Sequence, residues 1–260
     1  MEQSLTVEKS PMSQVKLWGK KLLFPGIDLH TRCRSYFLPK FFRSGEIDTL
    51  DAGFGNGALS YAAYKLGNRV LGVTYDPTQV QKAHTFFSAL NTDSERLQFQ
   101  VCNLYDLPKL NRKFDQIICS ETLEHIQKDD VIIKYFYDLL KPGGVLHLCC
   151  PFALHSEHNL GRTDEPEDGG HVRDGYTLES YQKLLQPVGF EIVKSAGLGS
   201  PLLSALDRSM VAVRMKFGDI AALPFFLLAL PLEKLDYLDS TIPFSLYVQV
   251  VKSSSSKNEL

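Results

Sequence analysis

Acidic and imidazole side chains crowd two short stretches of this sequence. ETLEHI, residues 121–126, carries Glu121, Glu124 and His125, and the polar run after the next apolar segment carries His155, His158 and His171. Imidazole changes charge near neutral pH, so His125, His155, His158 and His171 are candidate general bases for an acceptor hydroxyl. Two carboxylates beside a histidine are also a donor set for a divalent cation. If ETLEHI is helical, Glu121 and His125 share a face, Glu124 lies close by, and a loop histidine completes the set. Plain packing of L-E-H-I beneath a bound ligand is the third reading. His30, His84 and His147 lie elsewhere, and His147 sits in an apolar run.

The second chemical feature is LDAGFGNGALS, residues 50–60, in which Gly53, Gly55 and Gly57 follow Asp51. No Gly-Lys-Ser/Thr ending follows, which excludes a P-loop. Gly53, Gly55 and Ala58 match the dinucleotide fingerprint, with Asp76 near the distance of a ribose-binding acid. Yet Gly57 falls one place early for that pattern, and a carboxylate at Asp51 would repel a pyrophosphate. An acid beside the turn suits a ligand carrying an ammonium and a sulfonium, as S-adenosylmethionine does.

These residues need elements to position them. Strand-like and helix-like segments alternate from position 48. DTLDA (48–52), RVLGVTY (69–75), RLQFQVCNL (96–104), KFDQIICS (113–120) and GVLHLCCPF (144–152) read as strands. ALSYAAYKLG, PTQVQKAHTFFSALN and DDVIIKYFYDLLKPGG read as helices between them, the last stopped by Pro-Gly-Gly at 144. Alternation of this kind means β-α-β units and an α/β, doubly wound, Rossmann-like sheet. A further helix at TLESYQKLLQPVG, a strand at FEIVKS and a last strand at FSLYVQVVK follow. Ligands of such sheets bind beyond the carboxyl ends of the strands, where the chemistry-bearing residues fall.

Taken together, the glycine turn, Asp76, the Asn103-Leu104 pair, ETLEHI and LLKPGG resemble the class I S-adenosylmethionine-dependent methyltransferases from about residue 46 to 152. The resemblance implies a seven-stranded sheet with an antiparallel last strand. It implies that Asp51, Gly53, Phe54, Gly55, Gly57, Asp76 and Ser120 hold the cofactor, with Asn103 and Leu104 at the adenine. Asn103 stands where the family usually has an acid, which predicts altered affinity. The E-x-x-E-H spacing is similar to the metal site of small-RNA 2′-O-methyltransferases and some ubiquinone-pathway O-methyltransferases. GHVRDGY resembles a step seen in glycan- and lipid-modifying methyltransferases, which would turn His171, Arg173 and Tyr176 toward the acceptor.

The expected function is therefore methyl transfer to a small molecule, chiefly at a hydroxyl oxygen of a sugar, lipid-linked or natural-product intermediate. Carbon or nitrogen methylation, a nicotinamide-dependent oxidoreductase and a non-catalytic binding protein are the alternatives. A net charge of -2 over 260 residues argues against nucleic acid, since basic charge is confined to the arm from Lys16 to Arg43. That arm, interleaved with Trp18 and several aromatics, suits an anionic or lipid-linked acceptor or a membrane surface, or is a solvated amphipathic helix pair. The expected organisation is a helical cover over 1–45, a core over 46–196 and 241–252, a helical insertion over 197–240, and a flexible tail over 253–260. The insertion's apolar run, LPFFLLALP, could line a pocket, touch a bilayer interface, form a dimer contact or pack as core. No run is long enough to span a bilayer. Five cysteines without a C-x-x-C pair and the lack of a signal pattern in MEQSLTVEKS suggest a cytoplasmic protein, with KNEL read as tail.

Overall fold

The computed structural model describes residues 14–153, 167, 169–231 and 243–252; His155 and His158 lie outside the described residues. Seven strands, β1 (Asp48–Ala52), β2 (Arg69–Thr74), β3 (Leu97–Val101), β4 (Phe114–Ser120), β5 (Leu140–Pro151), β6 (Phe190–Leu198) and β7 (Ser245–Lys252), form one sheet. Their order is β3-β2-β1-β4-β5-β7-β6, with β7 antiparallel to both neighbours and the first five strands parallel. The doubly wound sheet with an antiparallel last strand is thus present.

Side chains alternate across each strand, so every central strand feeds two cores. Ile117, Cys119, Leu146 and Leu148 point into one, which is closed by α5 (Asp129–Leu139) and α6 (Leu178–Leu185). Ile118, Cys149 and Tyr247 point into the other. There they meet α2 (Leu29–Phe37), α3 (Ala58–Lys65), α4 (Pro77–Ala89), α7 (Pro201–Phe217) and α8 (Asp219–Ala229). α1 (Gln14–Leu23) precedes them. All five cysteines are buried free thiols. Among the described residues no helix is long and apolar enough to cross a membrane.

Three local expectations are corrected. The helix expected to reach Gly144 ends at Leu139, because Leu140 is already extended and pairs with Phe114; Lys141–Gly144 then form an irregularity in β5. A helix could not have continued through Pro142, which disfavours helical backbone at the residue before it. The third strand stops at Val101, since the Asn103 carboxamide accepts from Tyr105 N–H and starts a 3-10 turn over Leu104–Leu110. ETLEHI is not an α-helix: only Leu123–His125 turn, and Glu121 has a positive φ of 51°. Glu121 and His125 therefore do not share a helical face.

A buried polar chain ties the first strands to β5 and β7. Gln116 donates to Thr49 Oγ1 and Asn68 Oδ1, and its Oε1 accepts from Arg43 N–H. His147 Nε2 lies 3.0 Å from Gln116 Oε1 and its Nδ1 lies 2.8 Å from the Tyr247 hydroxyl. An amide oxygen only accepts, so Nε2 carries the proton and Nδ1 accepts from Tyr247. Complete burial, aided by Arg43, pushes the His147 pKa down to about 3. Below the ordinary value near 6.5 the unfolded chain therefore gains a proton that the folded chain refuses. We predict that the unfolding free energy of wild type, relative to His147→Gln, declines by about 1.4 kcal/mol per pH unit as pH falls from 6.5 toward 3. Chemical denaturation across that window measures it, and parallel pH profiles for the two proteins would show that His147 is not held neutral.

Candidate functional site

The strand order reverses between β1 and β4, and the loops leaving their carboxyl ends face one another. Gly53, in the loop after β1, has φ 80° and its N–H donates to Val73 O at 2.9 Å. A Cβ there would lie 2.3 Å from Thr122 Oγ1 in the loop after β4. Gly57, with φ 78°, faces the Phe87 ring, which a Cβ would approach to 2.5 Å. Gly57 is thus required for packing. Gly55 differs: it also has positive φ, but a Cβ would meet nothing within 4 Å, and it borders three cavities.

The first of these, a crevice of about 340 Å³, is lined by Gly53, Thr74, Gln79, Asn103, Leu104, Glu121, Thr122 and His125, among others. The second, about 210 Å³, lies on the opposite side of the turn and is lined by Arg34, Asp51, Phe54, Asn56, Ser120 and Glu121. Glu121 and Gly53 border both. Of the cofactor residues expected from sequence, Asp51, Gly53, Phe54, Gly55, Asn103, Leu104 and Ser120 line one or other cavity. Asp51 is 2% exposed, accepts from Ser60 Oγ at 2.5 Å, and burial pushes its pKa up to about 6. A cation in this cavity would hold Asp51 ionised.

Asp76 is not among the lining residues. Its carboxylate caps α4, accepting from Thr78 N–H at 2.7 Å, a role that follows from its place just before Pro77. Thr74, the last residue of β2, lines the crevice, and its hydroxyl donates to Gln79 Oε1 at 3.2 Å. Arg173 and Tyr176, expected to turn toward the acceptor, make contacts within the fold. Arg173 is 8% exposed and spends its guanidinium on Asp129 and on the carbonyls of Ile126 and Gln127. The Tyr176 hydroxyl donates to Asp129 Oδ2 at 2.7 Å while its ring stacks on Tyr181. Both tie their loop to the start of α5, and neither is among the residues that line these three cavities.

His171 does come to the site. It packs edge-on against His125, with ring centroids 4.6 Å apart. Glu124, His125 and His171 each offer a ligand atom within 4.8 Å of the others. Glu124 is fully buried with neither carboxylate oxygen hydrogen-bonded, and desolvation, then the nearby Glu121 charge, pushes its pKa up to about 8. His125 Nδ1 lies 2.9 Å from Gly170 O, and a carbonyl cannot donate, so Nδ1 holds the proton of the neutral ring. Nε2 is left with its lone pair. Burial and the neighbouring His125 lower the pKa of His171. Glu121 stands apart from this trio. It receives the Arg34 guanidinium at 3.3 Å and the Ser245 hydroxyl at 3.0 Å.

Arg34, Thr74 and Gln79 also line these cavities, and sequence reasoning did not single them out. Arg34 belongs to the basic arm, but nothing in its spacing selects it from the neighbouring basic residues. Thr74 could have been found by counting, since it is the last residue of β2.

The family described as "Methyltransferase domain" matches residues 50–148, which runs from the glycine turn to β5. The mitochondrial ubiquinone biosynthesis O-methyltransferase of Rattus norvegicus is 29% identical over 161 residues, covering 57% of this chain and 46% of its own. Its counterpart of Xanthomonas campestris is 35% identical over 102 residues, covering 38% and 41%. The chain thus spans about half the length of the curated relatives it matches. The fold is shared with a putative sarcosine dimethylglycine methyltransferase from Galdieria sulphuraria, at TM-score 0.57 and 13% identity over 86% of this chain and 84% of that one. It is shared too with the magnesium protoporphyrin IX methyltransferase of Synechocystis bound to S-adenosylhomocysteine, at TM-score 0.53 and 17% identity over 86% and 82%. A seven-stranded sheet, a glycine turn opening on a polar crevice and a matching domain from 50 to 148 make one assignment: the chain carries a class I S-adenosylmethionine-dependent methyltransferase domain.

Proposed function

We propose that this chain transfers a methyl group from S-adenosylmethionine to a hydroxyl oxygen of a small molecule. The observation that carries the reading is Gly55, whose missing side chain leaves open space between the crevice at Asn103 and the cavity at Asp51. Asp51 would face the ammonium group, Thr74 and Gln79 the ribose, and Asn103 with Leu104 the adenine. Bound there, the cofactor supplies an electrophilic methyl on a neutral leaving group. The protein's share is to orient the acceptor, exclude water and take its proton. His125 Nε2 is the candidate base, since Nδ1 is committed to Gly170. The two named O-methyltransferase relatives support oxygen as the acceptor atom. A sugar, lipid-linked or natural-product acceptor remains the proposed class.

A divalent cation at Glu124, His125 and His171 is a second reading, favoured by one specific observation: both Glu124 oxygens are buried without a hydrogen bond, and Oε1 lies 3.8 Å from His125 Nε2. A cation there would hold Glu124 ionised and orient an acceptor hydroxyl. It would also take the His125 lone pair, so the base and ligand roles of His125 exclude one another.

Three outcomes are expected. Calorimetric titration with S-adenosylmethionine should give micromolar affinity at pH 8, weakening about tenfold per pH unit below about 6, where Asp51 protonates. Asp51→Asn should bind weakly and lose that dependence; a wild-type profile flat from pH 5 to 8 would remove Asp51 from the cofactor site. With hydroxylated acceptors, His125→Ala should lower kcat about a hundredfold while S-adenosylhomocysteine still binds, and full turnover would exclude it as base. Titration with Zn²⁺ or Mg²⁺ should raise Tm in wild type but not in Glu124→Gln. The effect should strengthen as pH rises through about 8, because Glu124 must lose its proton to ligate. Equal metal responses in both proteins would dismiss the metal reading.

A further inference from the structure

The third cavity bordering Gly55 is different in kind. It encloses about 910 Å³, near the upper end of ordinary small-molecule sites. Leu23, Phe24, Ile27, Phe86, Leu223 and Phe226 make its wall, with Ala83 in α4 among the buried lining residues. The wall is built. Asn56 Nδ2 donates to Pro25 O at 2.6 Å, which fastens the loop after α1 to the glycine turn. Arg32 donates to Gly26 O at 3.1 Å, and its guanidinium lies 5.3 Å from the centre of the Phe226 ring on α8. This cavity adjoins both others at the glycine turn: it shares Gly55 and Asn56 with the one at Asp51 and Glu121, and Gly55 and Gln79 with the crevice that His125 lines. Lys20 and Lys82 also border it, are exposed, and make no hydrogen bond or ion pair among the described residues.

The geometry points to an anionic amphiphile as the acceptor: its apolar chain lies in this cavity and its anionic group pairs with Lys20 and Lys82. The inference rests on the methyl-transfer reading, because adjacency at the glycine turn is what brings the chain site and the reacting hydroxyl together. An apolar wall of this size has no use for a polar sugar alone, since water held against it is released only by apolar surface. Two exposed ammonium groups without a partner among the described residues, at the edge of a mostly apolar cavity, are complementary to phosphate or carboxylate. The insertion before β7 thereby has a divided role: Leu223 and Phe226 of α8 face the chain, whereas Leu228, 73% exposed, does not line the cavity.

Dodecyl phosphate and farnesyl phosphate, titrated calorimetrically below their micelle concentrations with S-adenosylhomocysteine present, separate acyl from prenyl chains. At least one should bind with micromolar affinity. Ala83→Trp, which fills the cavity, should weaken it at least tenfold, as should the surface pair Lys20→Glu/Lys82→Glu, while Leu228→Glu leaves it unchanged. S-adenosylhomocysteine should bind all three variants as it binds wild type, which also certifies their folding. Lack of binding by either phosphate, equal binding by Ala83→Trp and the lysine pair, or loss confined to Leu228→Glu would each overturn the proposal. Loss of S-adenosylhomocysteine binding in wild type with the phosphate pattern intact would instead overturn the cofactor reading and leave the chain site standing.

Discussion

The site depends on how closely two loops approach. Gly53 leaves β1 and Thr122 follows β4, and no side chain larger than hydrogen fits between them at the observed separation. That contact is possible because β1 and β4 are paired in parallel, with Asp51 beside Ile118, so both chains emerge at one level. A Cβ at Gly53 would have to displace Thr122, whose hydroxyl donates to Ser120 O at 3.0 Å. Ser120, Glu121 and the Leu123–His125 turn would move with it. The cavities on either side of the glycine turn are consequences of this one approach.

The N-terminal arm completes what the sheet begins. Glu121 has left-handed backbone, uncommon for a residue with a side chain, and its N–H donates to Cys149 O at 2.7 Å. Its carboxylate is held from α2 by Arg34 and from β7 by Ser245. Three distant pieces of chain thus fix one acidic side chain at the border of two cavities. Strain of this kind persists where surrounding contacts over-determine it, and here they do. The loop from Arg173 to Tyr176 serves the same end from below: its contacts with Asp129, Ile126 and Gln127 hold the far end of ETLEHI.

The fold was legible because its signals are local. Strands buried on both faces read as apolar runs, and the turn between DTLDA and ALSYAAYK declared itself by glycine spacing. Part of the site was legible for the same reason: Asp51 and Ser120 lie at the carboxyl ends of strands, and Asn103 and His125 follow within a few residues of one. Residue-level orientation was less legible. Asp76 caps α4 while Thr74, two residues earlier, lines the crevice, and only the end of the strand separates the two positions. Arg173 looked like a ligand-binding cation, but its burial against Asp129 depends on α5, remote in sequence. Glu121 and His125 were placed on one helical face, yet the positive φ at Glu121 breaks the turn that the spacing required.

The three cavities around Gly55 differ in polarity, and that difference bears on which chemistry the site can support. Asn103, Thr74 and Gln79 offer hydrogen-bonding groups in one. Asp51 and Glu121 offer anionic character in another, where Arg34 offsets the second. Phe24, Phe86 and Phe226 offer only apolar surface in the third. The polar side chains that border that region are Lys20, Lys82, Asn56 and Gln79, so an amphiphilic acceptor is the kind whose parts match all three cavities. A wholly polar acceptor would leave the apolar wall wet; a wholly apolar one would leave Glu121 and Arg34 to desolvate without gain. Those demands meet at Gly55, which borders all three cavities, with Ser120 and Glu121 beside Asp51 in the second.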